Sequence, residues 1–146
     1  MFKIFKRKIT KMFREFLVYH NSSLEFRAKL LTLLVSANSK ISPCEEKILK
    51  EIVYSIYNTD DDRAELLLDT VYEYHHKIIT NNGLDFEHLI QLVDKEVRET
   101  KRFSSKIDIE SLTKFLHCTD VKNEEEYLFQ QRVLEFLETL KNECSI

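Results

Sequence analysis

The sequence predicts an all-α fold, a compact single-domain bundle of about seven helices built around two related helical hairpins. Three observations carry this expectation. The 146 residues contain one Gly and one Pro, and a β-rich or Rossmann-type fold needs more turn glycines, so helices joined by short polar turns are favoured. Helix-start signals recur: Ser22 with Glu25, Ser42 with Glu45 and Asn123 with Glu126 each place an acidic residue three positions after a capping one. Between these signals, apolar residues return at three- and four-residue steps.

Residues 2–19 form the first helix candidate. Phe2, Phe5, Ile9, Met12, Phe13 and Phe16 share one face, and Lys3, Lys6, Arg7, Lys8, Lys11 and Arg14 surround it. A basic amphipathic helix of this kind can pack on the domain with its charges in water, enter a partner's groove, or lie on an anionic membrane with its phenylalanines inserted. The expected membrane or partner contacts are Phe2, Lys3, Phe5, Lys6, Arg7, Lys8, Lys11, Phe13 and Arg14. Asn21-Ser22-Ser23 breaks this segment from a domain over 22–146.

The clearest unit is 30–56. Leu30, Leu31, Leu33, Leu34 and Val35 cover nearly the whole circumference of a helix, which must therefore be buried on several sides. The helix ends at a turn around Ala37. Ser42 then caps a second helix with Pro43 at its first position, where no N–H is needed, and Glu45 closes a capping box. Ile48, Ile52, Val53 and Ile56 form its apolar face. A helix over about 61–80 follows, with Ala64, Leu67, Leu68, Val71, Tyr74 and Ile78 inward, and ends at Asn81-Asn82-Gly83. The next helix, about 85–100, turns Phe86, Leu89, Ile90, Val93 and Val97 inward. After a connector at 101–106, Ser105 with Asp108 is expected to cap a helix bearing Ile109, Leu112, Phe115 and Leu116. The last helix presents Phe129, Val133, Phe136, Leu137 and Leu140 to the core.

The second hairpin reads as a copy of the first. Leu31, Leu34 and Val35 map onto Leu112, Phe115 and Leu116 at a shift of 81. Past the turn, Ile41, Glu45, Ile48, Val53 and Ile56 map onto Val121, Glu125, Leu128, Val133 and Phe136 at a shift of 80. Two copies at so long a period suggest a pseudo-symmetric domain and not a solenoid.

The run Ala37-Asn38-Ser39-Lys40-Ile41-Ser42-Pro43-Cys44-Glu45-Glu46, with its later copy, resembles the TerB-like (tellurite-resistance B) family. That family carries a helix ending in Ala-Asp-Gly-x-Ile, followed by a Ser/Asp-Pro-Glu-Glu helix start. Ala37, Ile41, Ser42, Pro43 and Glu45 match; Asn38 and Ser39 replace the acidic Asp-Gly pair. The resemblance covers roughly residue 26 to the end of the chain. It implies an interaction or scaffold protein of a bacterial stress-response type, recruiting a protein partner, in some settings at a membrane. It also implies a divalent-metal surface at the turns, onto which Glu45, Asp120 and Glu125 would map. Hard cations want six or more oxygen ligands, and Glu45 and the 124–126 run are equally accounted for as helix-start acids.

Charge and motif content narrow the function classes. The net charge is −3, but residues 1–20 hold six Lys/Arg against one Glu, a balance of +5 that leaves −8 for the rest. An acidic body is a poor nucleic-acid binder. A single glycine excludes a glycine-rich phosphate loop. No Ser-His-Asp order or His-Glu-x-x-His is present, so a non-enzymatic protein without a cofactor is expected. Cys44, Cys118 and Cys144 are odd in number, with no signal peptide and no apolar run long enough to span a bilayer. Free thiols in a reduced cytoplasm, peripheral at the membrane if the first helix docks, are the simple expectation. Cys44 and Cys118 lie beside equivalent turns, with His117 adjacent, but no Cys-x-x-Cys spacing points to zinc. His75-His76 sit about 100° apart on a helix and do not face one another. Tyr54, Tyr57, Tyr72, Tyr74 and Phe103 can line a groove but are equally suited to core or boundary positions.

Overall fold

The structure is a computed structural model and describes residues 22–37, 40–118 and 124–145. The contact residues expected within 1–20, and Asp120, lie outside the described residues. Among those described there are six α-helices, two 3₁₀ segments and no strand, as the all-α expectation requires. The helices are α1 (Ser22–Val35), α2 (Pro43–Ile56), α3 (Asp61–Ile79), α4 (Phe86–Glu99), α5 (Ile109–Thr113) and α6 (Glu124–Cys144). A 3₁₀ segment, Lys101–Lys106, joins α4 to α5, and another, Lys114–His117, continues α5.

α1 is the central helix. Every residue from 28 to 35 is buried, and α3, α4 and α6 all pack on it. That follows from its apolar circumference: with no polar stripe to give to water, it must be covered on all sides. Its one charged residue in this stretch, Lys29, is 7 % exposed and is held by both carboxylate oxygens of Glu96 on α4, at 2.9 and 2.8 Å, with Glu25 at 3.4 Å. A buried ammonium is tolerated only with such pairing.

α2 starts as expected. Ser42 Oγ accepts from the Glu45 N–H, Glu45 accepts from the Ser42 N–H, and Pro43 occupies the first turn. α3 and α4 are capped by Asp60 and Asp85, whose side chains accept from the Arg63 and His88 N–H groups. Asn81 and Gly83 take positive φ after α3, the left-handed geometry that Asn and Gly tolerate best.

Three expectations need correction. Ser105 does not cap the helix after the connector; Asp108 does, accepting from Ser111 N–H, while the Ser105 hydroxyl donates to the Arg102 carbonyl inside the 3₁₀ segment. The helix so capped is not continuous over 109–116, because α5 tightens into the Lys114–His117 segment after five residues. The inner face of α6 is also rotated from the one its apolar residues suggest. Phe129 is exposed, and Gln130 is fully buried ahead of Val133, Leu134, Leu137 and Leu140.

Candidate functional site

The starts of α2 and α6 are where the sequence pattern places matching acidic residues, and the structure gives them different surroundings. Glu45 is fully buried. Its Oε1 lies 3.1 Å from Ser42 Oγ and 3.4 Å from Ser42 N, and its Oε2 accepts from Gln130 Nε2 at 3.0 Å. The same Gln130 amide donates to the Leu34 carbonyl at 2.7 Å. Leu34 stands in the last turn of α1, where a carbonyl has no intrahelical donor. One buried amide therefore closes the end of α1 and joins it to the start of α2. This explains why a glutamine displaces Phe129 from the inner face of α6: satisfied buried polar groups cost little, and the orphaned carbonyl would cost more. Both Glu45 oxygens are used inside the protein.

Glu125 sits differently. It is exposed in the first turn of α6 and lines an open recess of about 300 Å³ with Ser36, Ala37, Glu126 and Phe129. The recess faces the first hairpin's turn, so the turn and the acidic helix start do meet. Glu45 is not part of its lining. Among the described residues no group of three or more His, Cys, Asp or Glu is placed to hold a metal ion.

The cysteines depart from the free-thiol expectation. Cys44, in the first turn of α2, and Cys118, just after the second 3₁₀ segment, are joined in a disulfide with Cα atoms 5.7 Å apart. They are 74 residues apart in sequence, which is why spacing alone could not reveal the pair. The contact between α2 and the Lys114–His117 segment brings them together. Cys144 is a free, buried thiol. His117 is exposed.

His75 and His76 diverge as the helical geometry requires: His75 is buried with Nδ1 3.0 Å from Ser36 Oγ, and His76 is exposed. Burial, with the nearby Glu46 charge and hydrogen bond, pushes the Tyr72 phenol up to about 12, and burial raises Tyr74 further. Neither phenol titrates near neutral pH. Phe103 is a core residue, stacked on Phe26 with ring centroids 4.7 Å apart.

A surface feature absent from the sequence expectations lies at the start of α6. None of residues 124–129 is buried, and Tyr127, Leu128 and Phe129 are 37, 44 and 37 % exposed in succession. Phe129 rests against Phe86 of α4, with centroids 4.8 Å apart. The signal available in the sequence is three large apolar residues in a row, which no single helix face can bury. No described helix is long and apolar enough to cross a membrane.

Comparison of the chain with protein-family models, with curated proteins and with solved structures finds no match.

Proposed function

We propose that this chain is a non-catalytic helical interaction module that receives a protein partner on the first two turns of α6. The observation that carries the reading is the exposed run Tyr127-Leu128-Phe129, buttressed by Phe86 and bordered by Glu124, Glu125 and Glu126. Contiguous exposed apolar groups rimmed by polar ones are the usual mark of a protein-binding surface, and aromatic residues supply most of the energy there. The acidic rim favours a partner with basic residues around an apolar centre. The resemblance to TerB-like proteins in the stretch 37–46 supports a scaffold role in a bacterial stress-response setting. The basic segment 1–20 supports docking of the module on the cytoplasmic face of an anionic membrane. In a reducing cytoplasm the Cys44–Cys118 pair would stand open part of the time, since structural disulfides persist mainly in oxidising compartments.

A photo-crosslinking residue at Leu128, compared with one at the exposed Glu135 of the same helix, tests the partner surface in native lysate. A defined protein captured at 128 and not at 135 is expected. Equal capture at both positions, or none, overturns the reading. Co-sedimentation with anionic vesicles tests the docking: the triple change Lys6→Gln, Arg7→Gln, Lys11→Gln in the full chain should abolish binding, and equal pelleting of variant and parent would remove the membrane from the account.

A further inference from the structure

A cavity of about 200 Å³ opens between α1, α2 and residues 105–114. Its floor is hydrocarbon: Leu30, Leu31, Ile52 and Leu112 line it, each no more than 6 % exposed. Arg27, Lys106 and Lys114 also line it. Three cations around one cavity stand out on a chain whose residues beyond 20 carry a balance of −8.

The fold leaves these cations poorly compensated. Among the described residues, neither Arg27 nor Lys106 has a carboxylate within ion-pair distance. Two carboxylates share the lining. Asp108 is already engaged by the Ser111 N–H and hydroxyl at 3.3 and 2.7 Å, and Glu51 stands on the α2 side, outside any of those ion pairs. The Lys106 ammonium is held below the usual lysine range by partial burial and by the positive charges of Arg27 and Arg102. Arg27 is pre-positioned: its guanidinium lies 5.7 Å from the Tyr57 ring centroid, and one of its nitrogens is 3.5 Å from the Tyr57 hydroxyl. A guanidinium steadied in this way loses less freedom when it takes up an acid group.

We propose that this cavity binds a small amphipathic organic carboxylate, its acid group between Arg27 and Lys106 and its short hydrocarbon body on Leu30, Leu31, Ile52 and Leu112. The acid supplies a direct ion pair to Arg27 and Lys106, which have none among the described residues, through charge-assisted hydrogen bonds. The hydrocarbon packs on the apolar side chains of the cavity floor. The volume is below the roughly 300–1,000 Å³ of sites for drug-sized ligands, so the occupant is short. The inference is independent of the partner surface on α6, which shares none of these residues.

Amide-resolved NMR titration of the full chain with hexanoate, hexan-1-ol and inorganic phosphate tests it. Hexanoate should give saturable shifts centred on Leu30, Leu31, Ile52 and Leu112. Hexan-1-ol should bind at least about tenfold more weakly, the loss expected when a charge-assisted bond is removed. Lys106→Gln should lose hexanoate binding by a similar factor, and Lys106→Arg should keep it. Because Lys106 has no ion pair to break among the described residues, the Gln variant is expected to keep the parent's unfolding curve. No saturable shift at millimolar hexanoate overturns the proposal. So does equal binding of the alcohol, which would mean a greasy cleft alone, or equal binding of phosphate, which would mean an anion patch alone. Unchanged binding by Lys106→Gln would place the ligand elsewhere and overturn it too.

Discussion

Glu45 and Glu125 occupy matching places in two hairpin patterns 80 residues apart, each in the first turn of a helix. One is fully buried with both oxygens bonded to protein; the other is exposed on an open recess. The difference is made by what lies opposite. Glu45 faces Gln130 and the largely apolar C-terminal half of α1, whose last carbonyls need donors. Glu125 begins a helix whose first six residues project beyond the core. The same helix-start signal therefore serves as a buried structural node at the start of α2 and as part of an exposed acidic rim at the start of α6. The hairpins differ in their opening helices too: α1 runs for 14 residues, while its counterpart is a 5-residue α-helix tightening into a 3₁₀ segment of 4.

The strongest way to disturb this contrast is to cut the link between the hairpins. The Cys44–Cys118 disulfide closes a stretch of 74 residues. Loop-closure entropy for that length corresponds to about 4 kcal/mol, so Cys44→Ser with Cys118→Ser should lower the stability of the oxidised protein by up to about that amount. Chemical denaturation with and without reductant checks it: the parent should respond to reductant, and the double variant should not. A parent indifferent to reductant would mean that the link contributes nothing.

Next is the comparison of the two glutamates. Glu45→Ala removes the acceptor of one Gln130 amide bond and of the Ser42 N–H and hydroxyl inside the core and should cost about 3 kcal/mol. Glu125→Ala, at an exposed position, should stay within about 0.5 kcal/mol. Equal losses in urea denaturation would show that the hairpins are more alike than their burial indicates. A calcium or manganese titration of the same pair separates the metal reading from the structural one, because a structural Glu45 lowers stability whether or not metal is present.

A smaller loss than that of Glu45→Ala concerns the cap of α5. Hydrogen bonds from Ser111 lead in holding the Asp108 carboxyl below its usual range, against some burial, with Lys141 and Lys114 assisting. A folded value below the unfolded one near 3.9 means stability that is present above about pH 4 and lost as pH falls through the folded value. Asp108→Ala should cost about 1 kcal/mol at neutral pH and show a shallower stability loss between about pH 4 and the acid limit. Parallel acid slopes for variant and parent would contradict the assignment.

Much of this fold was legible from residue pattern because the signals are local. The Ser42-Pro43-Glu45 start of α2, the acidic starts of α3 and α4, the Asn-Asn-Gly stop after α3 and the centrality of α1 each depend on a few neighbouring residues and on backbone groups that must be satisfied nearby. The α6 register is not legible for the opposite reason. Hydrophobicity favours Phe129 as the buried residue, and the Leu34 carbonyl and the Glu45 carboxylate, 96 and 85 residues away, make Gln130 the better choice.

The chain's composition and helical periodicity decide that it is all-α, roughly where each helix begins, and which helix lies at the centre, since each follows from torsional preference and the burial of apolar side chains along one segment. Only the packed structure decides that Cys44 meets Cys118, that Lys29 meets Glu96, that Glu45 turns inward, and that Arg27 and Lys106 line one cavity. These are meetings of groups remote along the chain. They are selected by how whole helices fit against α1, and no local propensity records that fit.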